Sequence, residues 1–169
     1  MISPGNSAAL VLMGVCGSGK STIGIALARK CGGVFHDADD FHPPANIEKM
    51  KRGEPLDDDD RAPWLERLAV LLSEASEAPA FLACSALKAR YRDVLASGCP
   101  DVRFVHLRGS PGLILARLRA RAGHFMPESL IDSQFAALEA PEGAFAVDID
   151  QPVEVIVDAI IHHFKLSTQ

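Results

Sequence analysis

The chain has 169 residues, 48% of them hydrophobic and 23% charged, with a formal net charge of -5. That length suits one domain with a substantial core, and no apolar run approaches transmembrane length. The acidic balance argues against general nucleic-acid binding, so any site for phosphate or carboxylate must be a local basic pocket.

Residues 8–13 form a short apolar run, the pattern of a buried central strand. Gly14, Val15, Cys16, Gly17, Ser18, Gly19, Lys20, Ser21 and Thr22 follow and satisfy G-x-x-x-x-G-K-[ST]. Glycines there let successive backbone N–H groups turn toward phosphate oxygens. The lysine reaches the outer phosphates, and the Ser21 hydroxyl is placed to ligate Mg²⁺. Ile23, Ala26 and Leu27 continue at helical spacing, so the loop sits between strand and helix, as a phosphate-binding loop requires. The N-terminal end of that helix dipole adds to the same site.

Gly32-Gly33 ends this helix and residues 34–36 start a second strand, which runs straight into Asp37-Ala38-Asp39. Both carboxylates are thereby expected at the ligand edge of a sheet. A phosphoryl transfer to a hydroxyl needs one carboxylate to orient the hydroxyl proton and often another for Mg²⁺. Residues 46–52 read as a short helix closed by Gly53. The acidic run 57–60 reads as the negatively charged start of a long helix, with Asp60 or a neighbour as cap, Pro63 in the first turn, and an apolar stripe through Trp64, Leu65, Leu68, Leu71 and Leu72. Arg61 at its start can clamp a carboxylate through its guanidinium fork.

Residues 80–84 read as a third strand, leading into Ser85 and Lys88 at the same edge and a helix over 88–96. Lys88, Arg90 and Arg92 add positive charge there. Cys84-Ser85 stands where a phosphate-loop enzyme often has an acid for Mg²⁺, which leaves Asp37 or Asp39 as the metal partner. A fourth strand (102–107), a helix from Pro111 to about 121, a second helix (127–139), a fifth strand (145–148) and a final helix carrying Val153, Ile156, Ile160, Ile161 and Phe164 complete the pattern. Arg117, Arg119 and Arg121 end the helix before Gly123-His124, the composition of a lid over about 117–130; Arg117 and Arg121 share a face and Arg119 does not. The phosphate loop and the alternation predict an α/β fold of the phosphate-loop NTPase kind. Its five-stranded parallel sheet is covered by helices on both faces, with ligands at the carboxyl ends of the strands. One domain spans 1–169. Cys16, Cys31, Cys84 and Cys99 show no metal spacing and no leader precedes them, so reduced thiols in a cytoplasmic protein are expected.

The ordered motifs resemble those of the small phosphate-loop gluconate kinases, related in fold to shikimate kinase and the nucleoside monophosphate kinases. The resemblance runs from Leu12 to about Pro152. It rests on residues 13–22, 37–43, 46–50, 53–56, 58–65, 84–88, 91–93, 124–126 and 133–135, with Leu138-Glu139. It implies ATP-dependent phosphorylation of D-gluconate at its 6-hydroxyl, with ATP and Mg²⁺ bound by residues 14–22 and Arg117. Lys20, Asp39 and Arg121 would then act in transfer. His42, Arg61, Ser85, Lys88, His124 and Gln134 would contact gluconate beside Asp39, and Ser21 with Asp37 would serve the metal. A cytoplasmic homodimer with no nucleic-acid or membrane partner completes that implication. Cys16 and Ala38 depart from the family's more frequent Ser and Gly. A shikimate-type kinase is the nearest alternative, since both substrates are hydroxylated carboxylates. A nucleotide-dependent switch is a more distant one, because no Asn-Lys-x-Asp base reader is present.

Overall fold

The computed structural model describes residues 8–75, 77–121 and 128–169. The first half of the chain forms β1 (Ala9–Met13), α1 (Lys20–Cys31), β2 (Val34–Asp37), a 3-10 turn (Ala38–Phe41), α2 (Pro44–Lys51) and α3 (Asp58–Ser73). The second half forms β3 (Ala80–Ala83), α4 (Ala89–Gly98), β4 (Arg103–Arg108), α5 (Pro111–Ala120), α6 (Glu128–Ala137), β5 (Phe145–Asp148) and α7 (Val153–Phe164). All five strands pair in parallel, in the order β2-β3-β1-β4-β5. The expected sheet is therefore present, with β1 at its centre.

Strand β1 is buried along its whole length, and its period-2 alternation divides it between two cores. Leu10 and Leu12 face the layer built by α1, α5, α6 and α7, among Leu27, Ile114, Ile131 and Ile160. Ala9, Val11 and Met13 face the layer of α3 and α4, among Leu65, Leu68, Leu72 and Leu95. Full burial of such side chains stabilises the fold by roughly 2–3 kcal/mol each. It also fixes where the strand ends, because a slip of one residue would exchange the two faces.

Register then sets the site. Asp37 pairs with Ala83, Leu12 with the same Ala83, and Met13 with His106. The loops after β1, β2 and β3 consequently leave the sheet at one level. No described helix is long and apolar enough to cross a membrane.

Two local expectations change. The cap of α3 is Asp57, whose side chain accepts from the Asp60 N–H while the Asp60 carboxylate accepts from the Asp57 N–H, a reciprocal capping box. The helix therefore starts earlier, and Pro63 falls inside it rather than in the first turn. The N–H that Pro63 lacks would have met the carbonyl of Asp59, an exposed residue whose carbonyl solvent can satisfy.

Arg92, expected to add positive charge at the ligand edge, is instead buried at 9% exposure. It donates to the carbonyl oxygens of Ala86 (2.7 Å), Leu87 (3.1 Å) and Glu139 (3.1 Å). Ala86 has a φ of 46°, an uncommon left-handed conformation for a residue with a side chain. Arg92 thus pins a strained β3–α4 loop to the segment after α6, and the Glu139 carboxylate strengthens the seam by accepting from the Ala89 N–H at 2.9 Å. Replacing Arg92 with Met leaves three carbonyls without their donor and is expected to cost about 3 kcal/mol. A thermal melt of Arg92→Met that matches the parent would show that the loop does not depend on this clamp.

Candidate active site

The loop between β1 and α1 takes the form its sequence predicts. Gly14, Gly17 and Gly19 have φ values of 150°, 82° and 94°, a region that side chains rarely enter. A Cβ on Gly14 would stand 2.8 Å from both the Leu107 carbonyl oxygen and the Ser18 Oγ, so glycine is required there for space as well. Gly19 caps α1 without a side-chain hydrogen bond, and nothing lies within 4 Å of where its Cβ would be. The first amides of α1 have no intrahelical acceptor, and the space beside Gly19 is open.

Ser21 and Thr22 are exposed at its rim, while the buried Ser18 hydroxyl has no partner among the described residues. Lys20 folds over the loop, donating from Nζ to the carbonyl oxygens of Gly14 and Val15 at 3.0 Å each. Burial lowers its pKa, and the nearby Asp39 and Asp37 carboxylates pull the other way. These features fit a bound polyphosphate: helix-start amides without an intrahelical acceptor, Lys20 and the exposed Ser21 hydroxyl belong to one loop and the first turn that follows it.

Asp37 ends β2 and its Oδ1 accepts from the Asp39 N–H at 3.0 Å, which rigidifies the turn holding both acids. The Asp39 side chain is 87% exposed. Partial burial raises its pKa, and repulsion from Asp37 adds to that; His42 and Lys20 oppose it. Given that exposure, the Asp37 charge is the cause with the clearer structural basis. Trp64 of α3 donates from Nε1 to the Ala38 carbonyl oxygen at 2.7 Å, tying the turn to the helix. His42 stacks on the Trp64 ring at 4.3 Å with planes 14° apart, and its Nε2 lies 3.8 Å from Asp39 Oδ1. Burial lowers the His42 pKa, so the ring is neutral at pH 7.

A cationic patch adjoins this turn. Tyr91 is surrounded by the guanidinium carbons of Arg61 and Arg90 and the ammonium of Lys88, each 5.6–5.8 Å from the ring centroid. Its hydroxyl donates to Asp58 Oδ1 at 2.6 Å and accepts from Arg61 Nη1 at 3.3 Å. Asp58 also pairs with Arg90 at 2.5 Å. Arg61 is close enough to His42 for its charge to disfavour the imidazolium. Ser85 follows β3, and its carbonyl accepts from the Gly14 N–H at 3.3 Å.

The remaining predicted residues are spread more widely. Gln134, on α6, accepts from the Cys16 N–H at 2.5 Å and so touches the phosphate loop itself. Arg117 donates to the Ile149 carbonyl at 2.5 Å, holding the loop after β5. Arg119 pairs with Glu128 on the surface, and Arg121 is exposed at the cap of α5. His124 and the rest of residues 122–127, the middle of the predicted lid, lie outside the described residues. Cys84 lies beneath the loop and burial pushes its thiol up to about 12, so it contributes no charge at the metal position.

Asn46, Trp64 and Tyr91 were given no site role by sequence reasoning. The four-residue spacing of His42 and Asn46 was the available signal for one of them. Tyr91 looked like any helix residue, because its partners come from another helix 30 positions away.

Comparison with known proteins agrees with this geometry. The shikimate kinase family model matches residues 16–134. The thermosensitive gluconokinase of Escherichia coli is 51% identical over 135 residues, covering 78% of this chain and 72% of that protein. The thermoresistant gluconokinase of the same organism is 44% identical over 161 residues, covering 92% of each. The chain belongs to the gluconokinase family. A crystal structure of a gluconokinase from Sinorhizobium meliloti superposes on it with a TM-score of 0.84 at 44% identity, covering 94% of this chain and 91% of that one. This member is therefore a phosphate-loop kinase, a phosphotransferase for which ATP is the implied phosphoryl donor, and the switch alternative falls away.

The buried neutral histidine has a consequence for stability. A histidine pKa lowered in the folded state means that the unfolded chain binds the proton more readily below the ordinary value of about 6.5. Stability is then lost as pH falls through that value toward the folded pKa. His36 and His106 act in the same sense, both through burial. The raised Asp39 pKa acts oppositely at lower pH. Melts at pH 7.5 and 5.5 should show a smaller acid-induced drop for His42→Gln than for the parent. Parallel drops would place His42 in a solvated environment instead.

Proposed function

We propose that this gluconokinase-family chain transfers the γ-phosphoryl group of ATP to the 6-hydroxyl of D-gluconate. The observation that carries the reading is the adjacency of three unlike groups at one sheet edge. A phosphate-binding loop, an exposed carboxylate at Asp39 and the Arg61–Lys88 patch around Tyr91 match a triphosphate, a hydroxyl and a carboxylate in turn. A small hydroxylated acid spanning Asp39 and Arg61 satisfies the last two together.

In this reading residues 14–22 cradle the phosphates through the amides that have no protein acceptor, with Lys20 turning from its own loop carbonyls to the outer phosphates. Asp39 accepts a hydrogen bond from the acceptor hydroxyl and holds its oxygen in line for attack, and its raised pKa suits it to take the proton as transfer completes. Arg61 and Lys88 hold the carboxylate, with His42 and Ser85 lining the space between and Gln134 closing it from α6. Arg121, with Arg117 behind it, neutralises phosphate charge. His124 belongs to the same reading as a gluconate contact.

Mg²⁺ fits Ser21 and the free oxygen of Asp37, and when bound supplies charge neutralisation on the phosphates. An ion there would take most of its ligands from nucleotide and water. A cytoplasmic homodimer completes the reading, and sedimentation of the purified chain tests its assembly.

The deciding experiment is coupled ADP release with Mg·ATP and D-gluconate, shikimate, a nucleoside monophosphate or no acceptor. Stimulation by gluconate alone is expected; stimulation by shikimate instead would move the substrate to the family whose model the chain also matches. Arg61→Ala should raise KM for gluconate by roughly tenfold or more with the KM for ATP little changed. Asp39→Asn should lower kcat by about a hundredfold or more while nucleotide still binds. A kcat equal to the parent's would remove Asp39 from the proton-accepting role.

A further inference from the structure

Asn46 is 4% exposed on α2, with its Nδ2 2.9 Å from the Asp60 carbonyl oxygen and 3.3 Å from His42 Nδ1. A carbonyl oxygen only accepts, so the amide nitrogen, and not the amide oxygen, must face Asp60. The same nitrogen therefore also faces the imidazole, and its second hydrogen is available to Nδ1. Nδ1 must accept it, and a neutral imidazole that accepts at Nδ1 carries its proton on Nε2.

Nε2 lies 3.8 Å from Oδ1 of the Asp39 carboxylate. The ring is not free to turn over: it is buried, stacked on Trp64, and Trp64 is itself hydrogen-bonded to Ala38 of the acidic turn. Asp60 is fixed in turn by the capping box of α3 and by Lys49, whose Nζ is 2.6 Å from its carboxylate. The chain of contacts thus runs from a helix cap, through one amide, to the protonation pattern of a ring beside the reacting carboxylate.

We propose that Asn46 is a positioning residue that locks His42 as its Nε2–H tautomer, so that the ring presents a donor and never an acceptor to Asp39 and the hydroxyl beside it. This rests on the role given to Asp39 above. A donor at Nε2 attracts the carboxylate and leaves Asp39 as the sole acceptor for the hydroxyl proton. The other tautomer would set a lone pair against the carboxylate oxygens and compete for that proton.

The tautomer is read directly from nitrogen-15 imidazole shifts in the labelled, full-length wild-type protein at pH 7, with His42 assigned by the signals lost in His42→Gln. A protonated Nε2 and an unprotonated Nδ1 are expected; a protonated Nδ1 would overturn the proposal. Asn46→Asp sets an acceptor against Nδ1 and favours the wrong tautomer. Its kcat with gluconate should fall about tenfold or more, with the KM for ATP unchanged. In the His42→Gln background, where the side-chain amide keeps a donor and has no tautomer, the same substitution should cost less than about twofold. Equal losses in both backgrounds would reduce Asn46 to a support of the fold and overturn the proposal. If the wild type transfers nothing to gluconate, the reading of the reaction fails, while the nitrogen shifts still decide the tautomer.

Discussion

Phosphate binding by backbone amides requires a chain that turns sharply straight out of the centre of the sheet. Here the turn is possible because Gly14, Gly17 and Gly19 hold positive φ, and Gly14 has no room for a side chain between Leu107 and Ser18. The loop can hold that shape because β1 is buried on both faces and hydrogen-bonded on both edges, to β3 and β4. Its end point is set by the two cores, and the register of β2 against β3 brings Asp37 to the same level. The distance between phosphate loop and acidic turn is therefore a property of the sheet, not of either loop.

The acidic run at the start of α3 shows how one local feature serves several others. Asp57 and Asp60 cap the helix, Asp58 holds Tyr91 and Arg90, and the Asp60 carbonyl holds Asn46. These contacts order the cationic patch on one side and the histidine on the other. Helix α3 also supplies Trp64, which fixes both the acidic turn and the imidazole plane. The bland reading of such a run, a solvated face with a helix cap, describes its local role; its tertiary role comes from what α2 and α4 bring to it.

Arginines show the limits of reading charge from sequence. Arg61, Arg90 and Arg92 look alike in the chain. Arg61 is half-buried at the site, Arg90 pairs with Asp58, and Arg92 is buried on the carbonyls of the adjacent Ala86 and Leu87 and of the distant Glu139. A guanidinium's five donors suit it to anions and to carbonyls equally, and only the surrounding fold decides between them.

The sequence by itself determined the five strands and most helices, through apolar runs of strand length and helical spacing that local sterics and burial enforce. It also determined the phosphate loop, since glycine and lysine at that spacing have few other uses, and the strand-end position of Asp37 and Asp39. Strand order, the structural role of Arg92 and the contact of Gln134 with the Cys16 amide were decided only by the tertiary structure. So was the grouping of Asn46, His42, Trp64 and Asp60. Each of these depends on which distant backbone donor or acceptor a side chain meets, and that is set by the packing of whole helices on the sheet, which no local pattern encodes.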